Sequence, residues 1–254
     1  MALTQTGCEP VPTRYICRSQ LYRRHLDSNA RFEEFAGAAV VANYADPRDE
    51  SLQAARLALA DLSTLPRTGF KGAGAPAWLE NRQAKVPQLS NEACRQDDGS
   101  LVARLSNEEL LILGDLTSAA TLATILQDEW SVDTTNRVYP LPRGDSHCWL
   151  ALTGEQASET LAKICGVDLR THKFAELEIA QTTVAQVSAV IVRADLGTTP
   201  CFFILCDVSA TEYLWDAILD AMSEFDGTPV GIMALRSMDP NQQSPQAGFD
   251  KEEK

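Results

Sequence analysis

Long apolar runs are missing from this sequence of 254 residues, and none approaches the roughly 18–20 residues that cross a bilayer. The opening MALTQTGCEP has no basic region ahead of an apolar stretch, so no secretory signal is expected. Basic residues are few: 22 Lys and Arg stand against 35 Asp and Glu, a formal net charge of -13. Phosphate binding needs clustered cations, which argues against nucleic acid and against an anionic membrane surface as partners. Histidine is scarcer still, with only His25, His147 and His172. These are scattered and no CxxC occurs, so no metal site is expected. A Gly-x-Ser-x-Gly elbow is also lacking. Gly69, Gly72 and Gly74 fall close together, but their spacing departs from the dinucleotide-binding G-x-G-x-x-G and Pro76 follows at once. They read as a turn into a short helix.

What remains is an ordinary globular composition, 44% hydrophobic and 22% charged, long enough for one large domain or two small ones. The cysteines are seven and scattered, which without an export signal points to reduced thiols and a cytoplasmic setting. Residues 1–18 carry Pro10 and Pro12 without periodicity and read as an arm that lies on a partner or stays loose. A strand is expected over Arg31–Tyr44, a helix over Ser51–Leu59, a strand at Thr68–Lys71 and a short helix at Ala75–Asn81. Leu101–Leu113 reads as a hairpin turning at Ser106-Asn107-Glu108-Glu109. Ser118–Glu129 reads as an amphipathic helix with Leu122, Ile125 and Leu126 on its apolar face. The turn-rich stretch Val132–Asp145 marks a boundary between a lobe over 19–145 and a second over 146–238.

In the second lobe, strands are expected at Cys148–Thr153, Thr182–Val187, Ala189–Arg193 and Cys201–Cys206, with helices at Gly154–Cys165 and Ala210–Met222. Cys201 and Cys206, five apart on one strand, face opposite sides as core thiols. The tail 239–254 is polar and reads as disordered. The whole is α+β with mixed, largely antiparallel sheets.

Residues 21–65 carry a family pattern: a short helix at Leu21–His25, Phe35-Ala36-Gly37, a strand ending at Tyr44, a helix over Asp49–Ala60, then Asp61-Leu62-Ser63. This resembles the opening of the glycine-cleavage aminomethyltransferases, the folate-binding T proteins. The likeness continues through Leu152-Thr153-Gly154, Asp168-Leu169 with Phe174, Leu214-Trp215-Asp216-Ala217-Ile218 and Val230 to Arg236. It implies an aminomethyltransferase-like folate-binding fold, here expected without the family's C-terminal β-domain.

The resemblance breaks where the family keeps its chemistry. One carboxylate belongs in a Gly-x-x-x-Asp-Asp hairpin, where it faces the reactive folate nitrogen and holds or relays a proton. Here Ser100, Leu101, Val102 and Ala103 follow Gly99, and Asp97 and Asp98 precede it. Asp98 is either a displaced acid or part of a solvated turn. A second carboxylate belongs in Arg-x-Gly-Tyr-Thr-Gly-Glu, where the Glu pairs with the pterin ring. Here Arg193 matches, but Asp195-Leu196-Gly197-Thr198-Thr199-Pro200 brings no Glu. Asp98, Arg193 and Arg236 are thus the folate-cleft candidates, and no catalytic residue is assigned.

The second lobe is also similar to the gamma subunit of heterotetrameric sarcosine oxidase, through Ala180-Gln181-Thr182 and Val190-Ile191-Val192-Arg193. That resemblance implies a non-catalytic subunit of a flavin-dependent sarcosine or N-methyl amine oxidase. Larger flavoprotein subunits would then hold FAD, FMN, NAD and tetrahydrofolate. The alternative is a tetrahydrofolate-dependent aminomethyltransferase working with replacement residues such as Asp98 and Arg236.

Overall fold

A computed structural model describes residues 10–118, 121–132 and 137–239. Residues 1–9 of the expected arm and 240–254 of the expected tail lie outside the described residues. The first segment holds α1 (Tyr22–Asp27), the hairpin β1 (Arg31–Phe35) and β2 (Ala38–Asn43), α2 (Pro47–Arg56) and β3 (Ala58–Asp61). There follow β4 (Arg67–Lys71), α3 (Ala75–Glu80), β5 (Glu92–Arg95), β6 (Leu101–Ser106), β7 (Glu109–Leu113) and α4 (Leu122–Glu129). After β8 (Tyr139–Pro140) and α5 (Arg143–Ser146) come β9 (Leu150–Thr153), α6 (Ala157–Ala162), β10 (Ile179–Val184) and β11 (Val187–Arg193). The described chain closes with β12 (Cys201–Cys206), α7 (Thr211–Met222), β13 (Thr228–Pro229) and α8 (Ile232–Met238).

Two larger sheets organise these pieces. One runs β5-β6-β7-β4-β8, the other β10-β11-β12-β9-β3-β13. All pairings are antiparallel except β13 on β3. The facing sides bury one apolar core in which Leu101, Ala103, Leu111 and Leu113 meet Ala60, Trp149, Ala151, Val192 and Phe203. The Trp149 and Phe203 rings meet edge to face, their centroids 5.2 Å apart. Behind the six-stranded sheet, α6 and α7 bury Leu161, Leu214, Trp215 and Ile218 against Leu150, Leu152, Phe202 and Ile204. Behind the five-stranded sheet, α3 and α4 cover Phe70, Val102, Leu110 and Ile112. The fold is therefore α+β and largely antiparallel.

Cys201 joins the inter-sheet core and Cys206 the opposite one, as strand alternation requires. The hairpin β6–β7 turns between Ser106 and Glu109 as expected. Arg31–Asn43 is not one strand but two, because Ala36 and Gly37 take positive φ of 53° and 75°. From the first eighteen residues, Tyr15 packs on this hairpin's own cluster of Phe32, Ala39 and Val41, and its hydroxyl donates to Glu34 at 2.8 Å.

The first long helix ends sooner than its alanines and leucines suggest. Asp46 caps α2 by accepting from the Arg48 N–H, Pro47 opens it, and Leu57 is already extended. Ala58, Leu59 and Ala60 then form a strand flanked on both edges, by β9 and β13, and are no more than 1% exposed. Two ladders of hydrogen bonds plus full burial outweigh helix propensity there. On α4 the buried positions are Ala123 and Leu126, whereas Ile125 is 48% exposed. Its apolar face is thus rotated from the Leu122–Ile125–Leu126 expectation. The strand expected to run to Val187 ends at Val184, because Ala185 and Gln186 turn with φ of 46° and 70°.

Candidate functional site

The three folate-cleft candidates are each held by partners within the chain. Asp98 accepts from the Ser100 N–H and hydroxyl at 2.9 Å and from the Leu122 N–H at 2.6 Å. It thereby ties the β5–β6 connection to the N-terminus of α4, where a carboxylate also meets the positive end of the helix dipole. Gly99 beside it has φ of +84°, and a Cβ there would lie 2.5 Å from the Asp115 carboxylate. Arg193 makes a two-pronged ion pair with Asp195, at 3.0 and 2.6 Å, and donates its remaining nitrogen to the carbonyls of Thr171 and Phe174. The Arg236 guanidinium donates to the Leu116 carbonyl at 2.7 Å, pairs with Glu33 and lies over the Phe35 ring. Leu196, Leu235 and Leu116 fill the neighbouring core. Asp98→Ala is accordingly expected to cost about 1 kcal/mol through the lost cap, read as a lower thermal midpoint.

A cleft lies elsewhere, on the six-stranded sheet beside His147. It has a volume of about 450 Å³ and is lined by His147, Gln181, Thr182, Ser188 and Val190. An inner cavity of about 180 Å³ continues between Leu105 and Leu111 of one sheet and Val190 and Leu205 of the other, rimmed by Glu109, Arg143, His147 and Gln181. Glu109 pairs with Arg143 and, at 3.3 Å, with Lys71. Arg143 also faces the His147 Nε2 at 3.2 Å, while Ser146 Oγ lies 2.8 Å from Nδ1. Burial and then the Arg143 charge push the His147 imidazole below its ordinary value. A neutral ring whose Nε2 accepts from Arg143 and whose Nδ1–H donates to Ser146 satisfies both bonds. Gln181 donates its amide to Asn91 Oδ1 at 2.8 Å and to the Leu105 carbonyl. A Cβ at Gly69 would crowd the Leu110 carbonyl at 3.0 Å and rest against the Arg143 stem at 3.4 Å. Both ring nitrogens of His147 are thus engaged within the chain, beside the Glu109–Arg143 ion pair and the Gln181 amide.

A second polar network is largely buried. His25 Nε2 bonds Asp61 Oδ2 at 2.9 Å, and the Tyr44 hydroxyl bonds His25 Nδ1 at 2.7 Å. Ser19 Oγ donates to the same carboxylate, and the Ser63 N–H donates to its other oxygen. The Trp215 ring stands edge-on to the imidazole at 5.4 Å. The order Tyr–His–Asp suggests a nucleophile relay, but His25 is 2% exposed and burial raises the Tyr44 phenol well above its usual value. It is a latch joining α1, β2 and β3. Sequence reasoning placed His25 and Asp61-Leu62-Ser63 in separate pieces of one pattern. Their common presence there was the signal that they meet. Among the described residues, no group of three or more His, Cys, Asp or Glu could hold a metal ion, and no helix is long and apolar enough to cross a membrane.

Comparison with known proteins places this fold. The GCVT N-terminal domain family matches residues 21–253. The aminomethyltransferase of Thermotoga petrophila is 22% identical over 229 residues, covering 85% of this chain and 62% of that protein. That of Streptomyces avermitilis is 27% identical over 224 residues, covering 82% and 57%. The crystal structure of the glycine cleavage system aminomethyltransferase T from Bartonella henselae superposes with a TM-score of 0.63 at 20% identity, over 86% of this chain and 60% of that one. A chain of the heterotetrameric sarcosine oxidase from Corynebacterium sp. U-96 superposes with a TM-score of 0.56 at 21% identity, over 70% of this chain and 92% of that one. This chain thus spans about three fifths of the aminomethyltransferases and nearly all of the sarcosine oxidase chain. With the match over residues 21–253 and the two-sheet fold in agreement, the chain belongs to the GCVT N-terminal domain family.

Proposed function

We propose that this chain is a non-catalytic, gamma-like subunit of a heteromeric flavin-dependent oxidase acting on sarcosine or a related N-methyl amine, in the cytoplasm. The observation that carries the reading is the internal commitment of Asp98, Arg193 and Arg236 to a helix cap, to Asp195 and to Glu33. The sequence adds that neither of the two carboxylates expected from the family resemblance stands at its matching position. The fold likeness to the sarcosine oxidase chain, over 92% of that chain, supports the same reading. FAD, FMN, NAD and tetrahydrofolate would sit on the larger flavoprotein subunits, and this chain would support their assembly.

The test is purification of tagged chain from its native host, with mass spectrometry and an absorption spectrum of the eluate. The expected result is a flavin-coloured eluate with two or more larger subunits, and no heat when tetrahydrofolate is titrated into the isolated chain. A colourless lone chain that binds tetrahydrofolate at micromolar concentration overturns the proposal. It would favour a tetrahydrofolate-dependent aminomethyltransferase, the reading that the curated relatives support by matching 82–85% of this chain.

A further inference from the structure

Two cysteines that no part of the proposed function uses lie side by side at one end of the six-stranded sheet, Cys206 at the end of β12 and Cys148 just before β9. Cys148 Sγ and Cys206 Sγ are 3.2 Å apart. Strand register explains the meeting. Phe203 pairs with Ala151 and Ile204 with Leu150, and two further residues along the ladder the Cys148 N–H donates to the Cys206 carbonyl at 2.9 Å. His147 and Asp207 pair one position beyond. Directly opposed residues in an antiparallel ladder share a face and hold their Cα atoms about 4.5–5.5 Å apart. That range falls inside the roughly 4.4–6.8 Å a disulfide spans. Both side chains enter the same core, beneath α7.

We propose that Cys148 and Cys206 are a reversible disulfide site, closed by hydrogen peroxide and reopened by a dithiol. The two sulfurs are in hydrogen-bond contact, and either can be the donor. One of them, as its thiolate, attacks one peroxide oxygen. The O–O bond breaks, and the departing hydroxide takes the proton that this thiol gave up and leaves as water. The other sulfur then attacks the resulting sulfenic acid. The S–S bond forms as the S–O bond breaks, and the hydroxide leaves with the second thiol's proton as a second water. Two thiols and one peroxide become one disulfide and two waters. The bond would cross-link the segment leading into β9 to the end of β12, next to His147 and Leu205, which line the inner cavity between the sheets.

The test uses the full reduced chain, treated with graded hydrogen peroxide, blocked with a maleimide and digested without reductant. A peptide pair joined through Cys148 and Cys206, lighter by two hydrogens and separated by dithiothreitol, is expected. It should form more slowly than oxidation of Cys17, since both sulfurs are buried and Cys17 is exposed. The cross-linked chain is expected to unfold at higher urea than the reduced one, because the bond fits the native register. Cys206→Ala should remove the cross-link and that shift while leaving oxidation of Cys17 unchanged. Recovery of both residues as maleimide adducts once Cys17 is oxidised would overturn the proposal. A lower urea midpoint in the cross-linked form would also overturn it, by showing that the bond strains the sheet.

Discussion

Asp61→Ala is expected to lower folding stability by roughly 3–5 kcal/mol, the cost of stranding a buried polar partner. The carboxylate is the hub of the buried latch, and its side chain is 2% exposed. Without it, the His25 ring, the Ser19 hydroxyl and the Ser63 N–H lose their acceptor together. Asparagine is no remedy, because its amide would present hydrogens to donors. Burial alone would raise the Asp61 carboxyl, but the His25 hydrogen bond and charge and the bonds from Ser19 and Ser63 outweigh it and hold the group below the ordinary range. A carboxyl depressed in the folded state binds fewer protons there than in the unfolded chain. Its stabilisation is therefore complete above the unfolded value of about 3.9 and is lost as pH falls through the folded value beneath it. Urea unfolding across that acid range should show a steeper loss of stability in the parent chain than in the variant. A difference below about 1 kcal/mol at neutral pH would mean that the latch holds nothing.

Gly154→Ala is the second large effect, expected at roughly 2–6 kcal/mol from about 1–3 of backbone strain and about 1–3 of forced repacking. Gly154 has φ of +115°, and a Cβ on it would lie 2.3 Å from the Arg56 carbonyl. The closeness has a purpose. The N–H groups of Glu155 and Gln156 donate to the carbonyls of Ala55 and Arg56, so the entry to α6 satisfies the open end of α2. A side chain at residue 154 would push these two helix ends apart. Gly166→Ala is the control, since a Cβ there meets nothing within 4 Å, and it should change stability by no more than about 0.5 kcal/mol. Equal urea midpoints for the two variants would dismiss the contact.

This glycine illustrates what could be read in advance. Leu152-Thr153-Gly154 was visible as a family pattern, but its reason, the approach of Arg56 from nearly a hundred residues away, belongs to the tertiary fold. Local patterns were legible: the β6–β7 turn, the alternation along Cys201–Cys206, and Leu214, Trp215 and Ile218 on α7. The α2–β3 junction was not, because Leu57 to Ala60 are good helix formers that become a strand only when β9 and β13 arrive. The β10–β11 turn lacked the Asn-Gly or Gly-Gly that would have marked it. At the candidate site, sequence identified Asp98 and Arg193 but not their partners. Asp98 acts on a helix 24 positions on, and Glu109 meets Arg143 across 34. Asp195, two residues on, is the bidentate partner of Arg193.

The placement of β3 bears on how the chain is made. A four-residue strand from the first segment sits between β9 and β13 of the last. During synthesis Ala58–Asp61 must wait for Leu150–Thr153 and then Thr228–Pro229 before its two edges are paired. Such distant pairings make folding slow and leave an unpaired apolar strand on the nascent chain. A chaperone that shields the segment would raise the yield of folded protein without altering its final stability.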